Sequence, residues 1–232
     1  LSVVIPAYNE EHRLPATLGS IREYFAGQPF PVEVIVVDDG SADRTSEVCR
    51  AYRDVKVLRN DRNCGKGYSV RRGMLEATGE YILFSDADLA APIAESAKLL
   101  GALRTCDVAI GSRGLPQSRV VRESPGRELL SQAFNRFVRL VTGLPYADTQ
   151  CGFKAFRRDA ARLLFQSLRC HRFSFDVEVL LAARHLGLRV VEVPIEWHER
   201  PGSRVNPWRD GWHMMRDVVR LRLTSQNNHG GR

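Results

Sequence analysis

The feature that most restricts this chain is an alternation. Apolar runs of strand length take turns with stretches of helical periodicity through the whole first half. "LSVVIPAY" reads as a strand, and residues 10 to 26 as a helix with Leu14, Leu18, Ile21 and Phe25 on one face. "VEVIVVDD" is a second strand, followed by Ser41 or Asp43 as an N-cap and a helix to about Tyr52. "VKVL" is a short third strand, followed by a Gly-rich turn and a helix from about Lys66 to Ala77. "EYILFSD" is the fourth, residues 93 to 104 a helix, and "DVAIGS" the fifth. This order predicts an α/β fold, a mostly parallel sheet flanked by helices on both faces.

Ligands of such sheets bind outside the carboxyl ends of the strands. Polar groups collect there three times, at Tyr8-Asn9-Glu10, Asp38-Asp39-Gly40-Ser41 and Asp86-Ala87-Asp88. The third group is the most demanding. Strand alternation points Asp86 and Asp88 the same way, and like charges that close repel unless something positive lies between them. A divalent cation already holding a phosphate is the simplest candidate.

The second half is less regular. Residues 113 to 126 read as a loop rich in Arg, Ser, Pro and Gly, followed by a helix of about 127 to 142. A helix near 159 to 166 comes next, "RVVEVPIEWHE" reads as one strand, and "PWRDGWHMMRDVVRLRL" as a closing helix. No repeat, low-complexity tract or long linker divides the 232 residues, so a single domain over 1–223 with a tail at 224–232 is expected.

Composition narrows the partners. With 44% hydrophobic and 26% charged residues the chain reads as a globular protein, and no apolar run approaches bilayer-spanning length. Five cysteines without a CxxC pair argue against a disulfide framework or zinc site and for a reducing compartment. A net charge of +7 favours phosphate-bearing partners: nucleotides, nucleic acid or an anionic membrane. Aromatic residues are not interleaved with the basic runs, so no nucleic-acid partner is expected. The turn "NCGKGYSVRRG" is neither of two familiar phosphate loops. A P-loop would need Gly at 60 and Ser or Thr at 67, where Asn60 and Gly67 stand, and the dinucleotide fingerprint fails at Val70. What remains is a flexible turn with Lys66 at a helix start, suited to approaching a nucleotide.

"VVIPAYNEE", "VVDDGS" and "SDADLA", in that order and spacing, resemble inverting family 2 glycosyltransferases of the Rossmann-like GT-A fold. "NCGKGYSVRRGM", "DTQCGFKAF", "RFSFDVEVL" and "GSR" after "WHER" extend the resemblance to dolichyl-phosphate glucosyltransferases and their bacterial polyprenyl-phosphate relatives, over residues 2 to about 223. The resemblance implies a sugar-nucleotide donor, Mg²⁺ or Mn²⁺, and a lipid phosphate acceptor. It implies a nucleotide-binding half to about residue 112 and an acceptor-binding half from about 113. Pro6, Ala7, Tyr8, Glu10, Asp38 and Asp39 would line the nucleotide pocket, with Lys66 and Arg71 in the donor-side turn and helix. Asp86 would approach the ribose or metal beside Ala87, and Asp88 would bind the metal. Gln150 and Gly152 resemble the segment that faces the transferred sugar. Arg200, Ser203 and Arg204 resemble a loop that closes over the diphosphate. Related mannose synthases carry a Gln metal ligand two positions beyond the second Asp, where this chain has Ala90.

A lipid phosphate needs a cationic cradle, and Arg suits bidentate contacts. Arg127, Ser131 and Asn135 recur every four residues on one helical face, with Arg113, Arg119 and Arg122 in the preceding loop. Asp176 and Glu178 occupy the place where many inverting relatives keep a general base. A phosphate acceptor is already largely a dianion at neutral pH, so positioning of a sugar hydroxyl or an arginine comes first for both and base catalysis second. The closing helix sets Trp208, Trp212, Met215, Val219 and Leu223 beside arginines, a pattern open to self-packing or to peripheral contact with the cytoplasmic face of an anionic membrane.

The resulting expectation is transfer of glucose from UDP-glucose to a polyprenyl or dolichyl phosphate. A GDP-mannose-dependent synthase and a family 2 enzyme with a non-lipid acceptor stay open. A nucleic-acid module and a catalytically inert scaffold are the alternatives outside that class.

Overall fold

The computed structural model describes residues 1–121, 125–200 and 207–227, with side chains in 1–121, 130–200 and 211–223. Its centre is a sheet of seven strands. In chain order these are β1 (Ser2–Ala7), β2 (Glu33–Asp38), β3 (Val55–Arg59), β4 (Tyr81–Ser85), β5 (Val108–Ser112), β7 (Phe153–Arg157) and β8 (Val190–Pro194). Spatially they run β3-β2-β1-β4-β7-β5-β8. Two short strands, β6 (Arg119–Val121) and β9 (Glu196–His198), pair in parallel as a separate ribbon.

Residue alternation builds two cores, one on each side of the sheet. Val3, Ile5, Val34, Val36 and Leu83 face α1 (Leu14–Ala26) and α4 (Ser96–Ala102). Val4, Ile35, Val37, Ile82 and Phe84 face the other way. There they meet α3 (Lys66–Glu76), α6 (Arg158–Gln166) and α7 (Phe175–His185). The helices α5 (Pro125–Thr142) and α8 (Pro207–Asn227) close that second side with the buried Val138 and Val218. The remaining helix, α2 (Thr45–Arg50), follows β2. Single-domain α/β architecture is as expected, and among the described residues no helix is long and apolar enough to cross a membrane.

Several elements differ from expectation. The fourth strand, β4, ends at Ser85, so Asp86 and Asp88 lie in the turn beyond it and not on the strand. The first helix begins at Leu14, because residues 10–13 form a turn closed by the Arg13 and Leu14 N–H groups on the Glu10 carbonyl. The segment "FKAFR" is β7, inserted antiparallel between β4 and β5, so the sheet is mixed at its centre. The segment 189–199 is two strands: β8 ends at Pro194, paired with Ser112, and the chain crosses to the ribbon through the buried Ile195. Residues 119–121 are strand, inside a segment expected to be loop, and α8 runs to Asn227 rather than 223.

Candidate active site

The carboxyl ends of β1, β2 and β4 form one rim, and the loops leaving β1 and β2 are stitched together by side chains. The Asn9 N–H donates to Ser41 Oγ at 2.8 Å, the Ala42 N–H to Asn9 Oδ1 at 2.8 Å, and the Glu10 N–H to Thr45 Oγ1 at 2.8 Å. Asn9 takes φ 53°, a left-handed conformation that its short amide tolerates better than most side chains. Pro6 and Ala7 end β1, Tyr8 stands half-buried behind them, and Glu10 pairs with Arg13 at 2.9 Å.

The turn after β4 is tighter. Asp88 Oδ1 accepts the Ala90 N–H at 3.0 Å, and Leu89 between them sits at φ 45°. Thr17 donates to the Ala87 carbonyl at 2.6 Å, and the His198 N–H to the Ala90 carbonyl at 2.7 Å. Ala90 thus serves the site through its backbone. The positive charge beside Asp86 belongs to the protein: Lys66 Nζ is 2.6 Å from Asp86 Oδ1. Burial opposes the charge on Lys66, but Asp86 and Asp176 outweigh it and hold the ammonium above its ordinary pKa. Among the described residues Asp88 has no such close partner. Burial and then the charge of Asp86 push its carboxyl upward, only partly offset by the Ala90 N–H, Lys66 and Arg13. A cavity of about 310 Å³ beside Asp88 and Leu89 is lined by His12, Arg13, Thr17 and Arg200.

Lys66 is held from behind. Asp39 accepts the Cys64 N–H at 2.9 Å and the Gly65 N–H at 2.8 Å, pinning the Gly-rich turn to β2. Gly65 is needed there, with φ 100° and a Cβ position only 2.4 Å from the His171 carbonyl oxygen. Tyr68 donates its N–H to that carbonyl at 3.1 Å, and the two rings meet edge-on at 5.4 Å.

The second concavity lies between α5 and the segment after β5. It holds about 730 Å³ and is lined by Ser118, Ser131, Asn135, Arg136, Arg139 and Asp148, among others. Ser131 and Asn135 share the expected face, and Arg139 extends the same four-residue row by one turn. That extension was available in the sequence spacing and is the clearest omission from it. Arg127, Arg122, Ser203, Arg204 and Trp208 fall outside the described side chains. The segment 148–152 runs from the larger cavity to Asp86 at the rim. Asp148 stands in the wall of the larger cavity, and the Gly152 carbonyl accepts the Asp86 N–H at 3.1 Å. A Cβ on Gly152 would lie 2.0 Å from Asp86 Oδ2. Between them, Gln150 Nε2 is buried without a hydrogen-bond partner, one of two such side-chain atoms among the described residues.

Several expected site residues are engaged elsewhere. Asp38 is fully buried, accepting the Ser41 N–H at 2.9 Å and the Ser46 hydroxyl, so it shapes the start of α2 instead of lining a pocket. Arg71 donates to the carbonyls of Phe165 and Gln166 at 2.9 and 3.2 Å, tying α3 to the end of α6 away from the rim. Arg113 is bidentate on Asp148 at 2.6 and 2.9 Å and lies over the Trp197 ring, so its guanidinium is committed to the cavity wall. Burial would raise the Asp148 carboxyl, but Arg113 outweighs it and brings the group down to about 2. Arg119 is largely exposed on β6, 4.0 Å from Glu196, while its neighbours Ser118 and Val120 line the cavity. Asp176 is 3% exposed and accepts from Lys154 at 2.5 Å, which engages its carboxylate inside the core. Glu178 accepts the N–H groups of Arg169 and Cys170 at 3.0 and 2.7 Å and so braces the loop that backs the Gly-rich turn. All five cysteines are free.

This arrangement has relatives. Residues 2–165 match the sequence model of Glycosyl transferase family 2. The dolichyl-phosphate beta-glucosyltransferase of Drosophila melanogaster is 42% identical over 240 residues, covering 95% of this chain and 74% of that protein. The human protein of the same name is 37% identical over 242 residues, covering 96% and 75%. Among solved structures, glucosyl-3-phosphoglycerate synthase from Mycobacterium tuberculosis in complex with Mn²⁺, UDP-glucose and phosphoglyceric acid superposes with a TM-score of 0.70. It is 22% identical, and the match covers 96% of this chain and 78% of that one. Mannosyl-3-phosphoglycerate synthase from Rubrobacter xylanophilus gives 0.72 at 20% identity, covering 99% and 74%. At those identities the likeness establishes the fold. The sequence matches go further: the chain belongs to glycosyl transferase family 2.

Proposed function

We propose that this glycosyltransferase moves glucose from UDP-glucose to a polyprenyl or dolichyl phosphate, with inversion at the anomeric carbon. The observation that carries the reading is the segment 148–152, which runs from an arginine-lined cavity to Asp86 at a carboxylate rim. A sugar nucleotide bound at the rim and a phosphate held in the cavity would meet at Gln150 and Gly152. Support for glucose and for the lipid phosphate comes from the names of the 34–42% identical relatives. The UDP-glucose complex of the structural neighbour agrees.

A divalent cation fits the residues present. Asp86 and Asp88 offer hard oxygen donors, and Asp88, pushed upward by burial and by the charge of Asp86, would be relieved by a cation between the two. Among the described residues no cluster of three His, Cys, Asp or Glu could hold a metal, so the donor diphosphate and water would complete the shell. When bound, Mg²⁺ or Mn²⁺ would supply charge stabilisation for the leaving diphosphate.

The chain's own groups do the rest. Lys66 and Arg13 bring positive charge to the rim. The orphaned Gln150 amide would be satisfied by a sugar hydroxyl, relieving a penalty of about 1–3 kcal/mol. Arg139 and Arg136 would hold the acceptor phosphate beside Ser131. One phosphate oxygen then bonds to the anomeric carbon as the bond to UDP breaks on the opposite face. A phosphate dianion needs no proton removed. The engaged positions of Asp176 and Glu178 suit a mechanism without a side-chain base. On α8, Trp212, Val219 and Leu223 are exposed among Arg216 and Arg220, a face suited to peripheral contact with an anionic membrane.

The test is incubation with UDP-[¹⁴C]glucose and polyprenyl phosphate in detergent, with Mg²⁺ or Mn²⁺ and with chelator. Metal-dependent label in the organic phase is expected. UDP release without lipid label would replace the lipid by a water-soluble acceptor, and label from GDP-mannose alone would change the donor.

A further inference from the structure

Lys154 is a charged residue on an interior strand, with only 1% of its surface exposed. Its ammonium donates to the Cys151 carbonyl at 2.5 Å and to Asp176 Oδ1 at 2.5 Å. Neither bond is needed to build β7, whose ladders to β4 and β5 are made by the backbone. Burying an ion pair is costly, and apolar side chains of similar volume usually fill such a position at least as well. The pair therefore calls for a role beyond filling the core.

Both ends of the pair lead to Asp86. The Cys151 carbonyl immediately precedes Gly152, against which the Asp86 carboxylate lies and whose own carbonyl accepts the Asp86 N–H. At the other end, the charge of Asp176 acts on Lys66, whose ammonium is ion-paired with Asp86. Lys154 thus sets the wall on one side of Asp86 through one partner, and the cation on the other side through the second.

We propose that Lys154 and Asp176 are positioning residues of the donor site, holding Gly152 and Lys66 so that the Asp86 carboxylate is presented in one orientation. Neither touches substrate; both act through Asp86. The proposal rests on the reading of Asp86 as a donor-side carboxylate.

The experiment is calorimetric titration of UDP-glucose in Mn²⁺ into the wild-type chain, Asp176→Asn and the double variant Lys154→Met/Asp176→Leu, with Tm and acceptor KM measured alongside. Asp176→Asn keeps a hydrogen-bond acceptor for Lys154 and removes the charge that draws Lys66. The double variant removes both buried charges, so no unpaired ion is left to unfold it. Donor affinity should fall in both by about 10–100-fold, the range for residues that orient metal-site ligands. Acceptor KM should not change, and the Tm of the double variant should stay at or above wild type. Wild-type donor affinity in either folded variant would overturn the proposal, since a purely structural pair predicts that result. Failure of both variants to fold would overturn it too, because the pair would then be holding the core. Failure of the wild-type chain to bind UDP-glucose would instead bring down the donor-site reading, and this proposal with it.

Discussion

The two concavities hold their charges in opposite ways. At the rim, the loops after β1 and β2 are fastened to each other through Asn9, Ser41 and Thr45, and Lys66 already sits on Asp86. Burial and the charge of Asp86 push the Asp88 carboxyl upward. In the larger cavity, Arg113 is consumed by Asp148, while Arg136 and Arg139 stand exposed on α5. The rim sets its carboxylates among the cations Lys66 and Arg13, and the cavity presents exposed arginines. A diphosphate with its metal suits the first and a phosphate anion the second. Shape alone would not have distinguished them.

The largest effect should come from Asp88. Asp88→Ala is expected to lower kcat on the order of a thousandfold, equivalent to several kcal/mol of charge stabilisation, while Tm stays near wild type. Near-normal turnover would remove Asp88 from the donor site. Gly152→Ala probes the junction. Its Cβ would strike Asp86 at 2.0 Å, and relief of that overlap at about 1–3 kcal/mol predicts a fall in donor kcat/KM of about tenfold or more. Unchanged donor kinetics would separate the two concavities.

The Arg113–Asp148 pair belongs to the wall, so its signature is stability. The Asp148 carboxyl is depressed from 3.8 to about 2, so its contribution is present above pH ~4 and lost as pH falls towards 2. That shift corresponds to about 2 kcal/mol by linkage. Asp148→Asn should lower Tm at neutral pH and flatten the loss of stability between pH ~4 and ~2. A wild-type acid profile would contradict the assigned cause. Arg71→Ala should do least. It loses two hydrogen bonds to the end of α6, about 1 kcal/mol each at most, and donor KM should not move. A raised donor KM would return Arg71 to the rim.

The contrast between the concavities is also a contrast in what sequence can disclose. The strands around the rim were legible because each is followed by its own helix, and parallel strands joined that way put their carboxyl ends on one edge. The period of two misplaced Asp86 and Asp88: β4 ends at Ser85, and both carboxylates stand in the turn beyond it, where strand alternation no longer applies. Partners were not legible at all. Asp38, Arg71 and Arg113 stand at positions suited to a ligand, yet each is used by groups between 3 and 95 residues away. Strand β7 was hidden because an antiparallel insertion depends on long-range pairing, and its second residue, Lys154, breaks the apolar pattern. The division of β8 from β9 was foreshadowed by Pro194, which cannot donate to a ladder. Arg139 lay one step further along a spacing already recognised.

The central claim is that the arginine cavity serves the acceptor and the carboxylate rim the donor. The most direct test is an initial-rate matrix for Arg139→Ala, with UDP-glucose and polyprenyl phosphate varied independently. Acceptor KM should rise about tenfold, the scale of one charge-assisted hydrogen bond, with donor KM unchanged. A rise in donor KM with acceptor KM unaltered would contradict the claim.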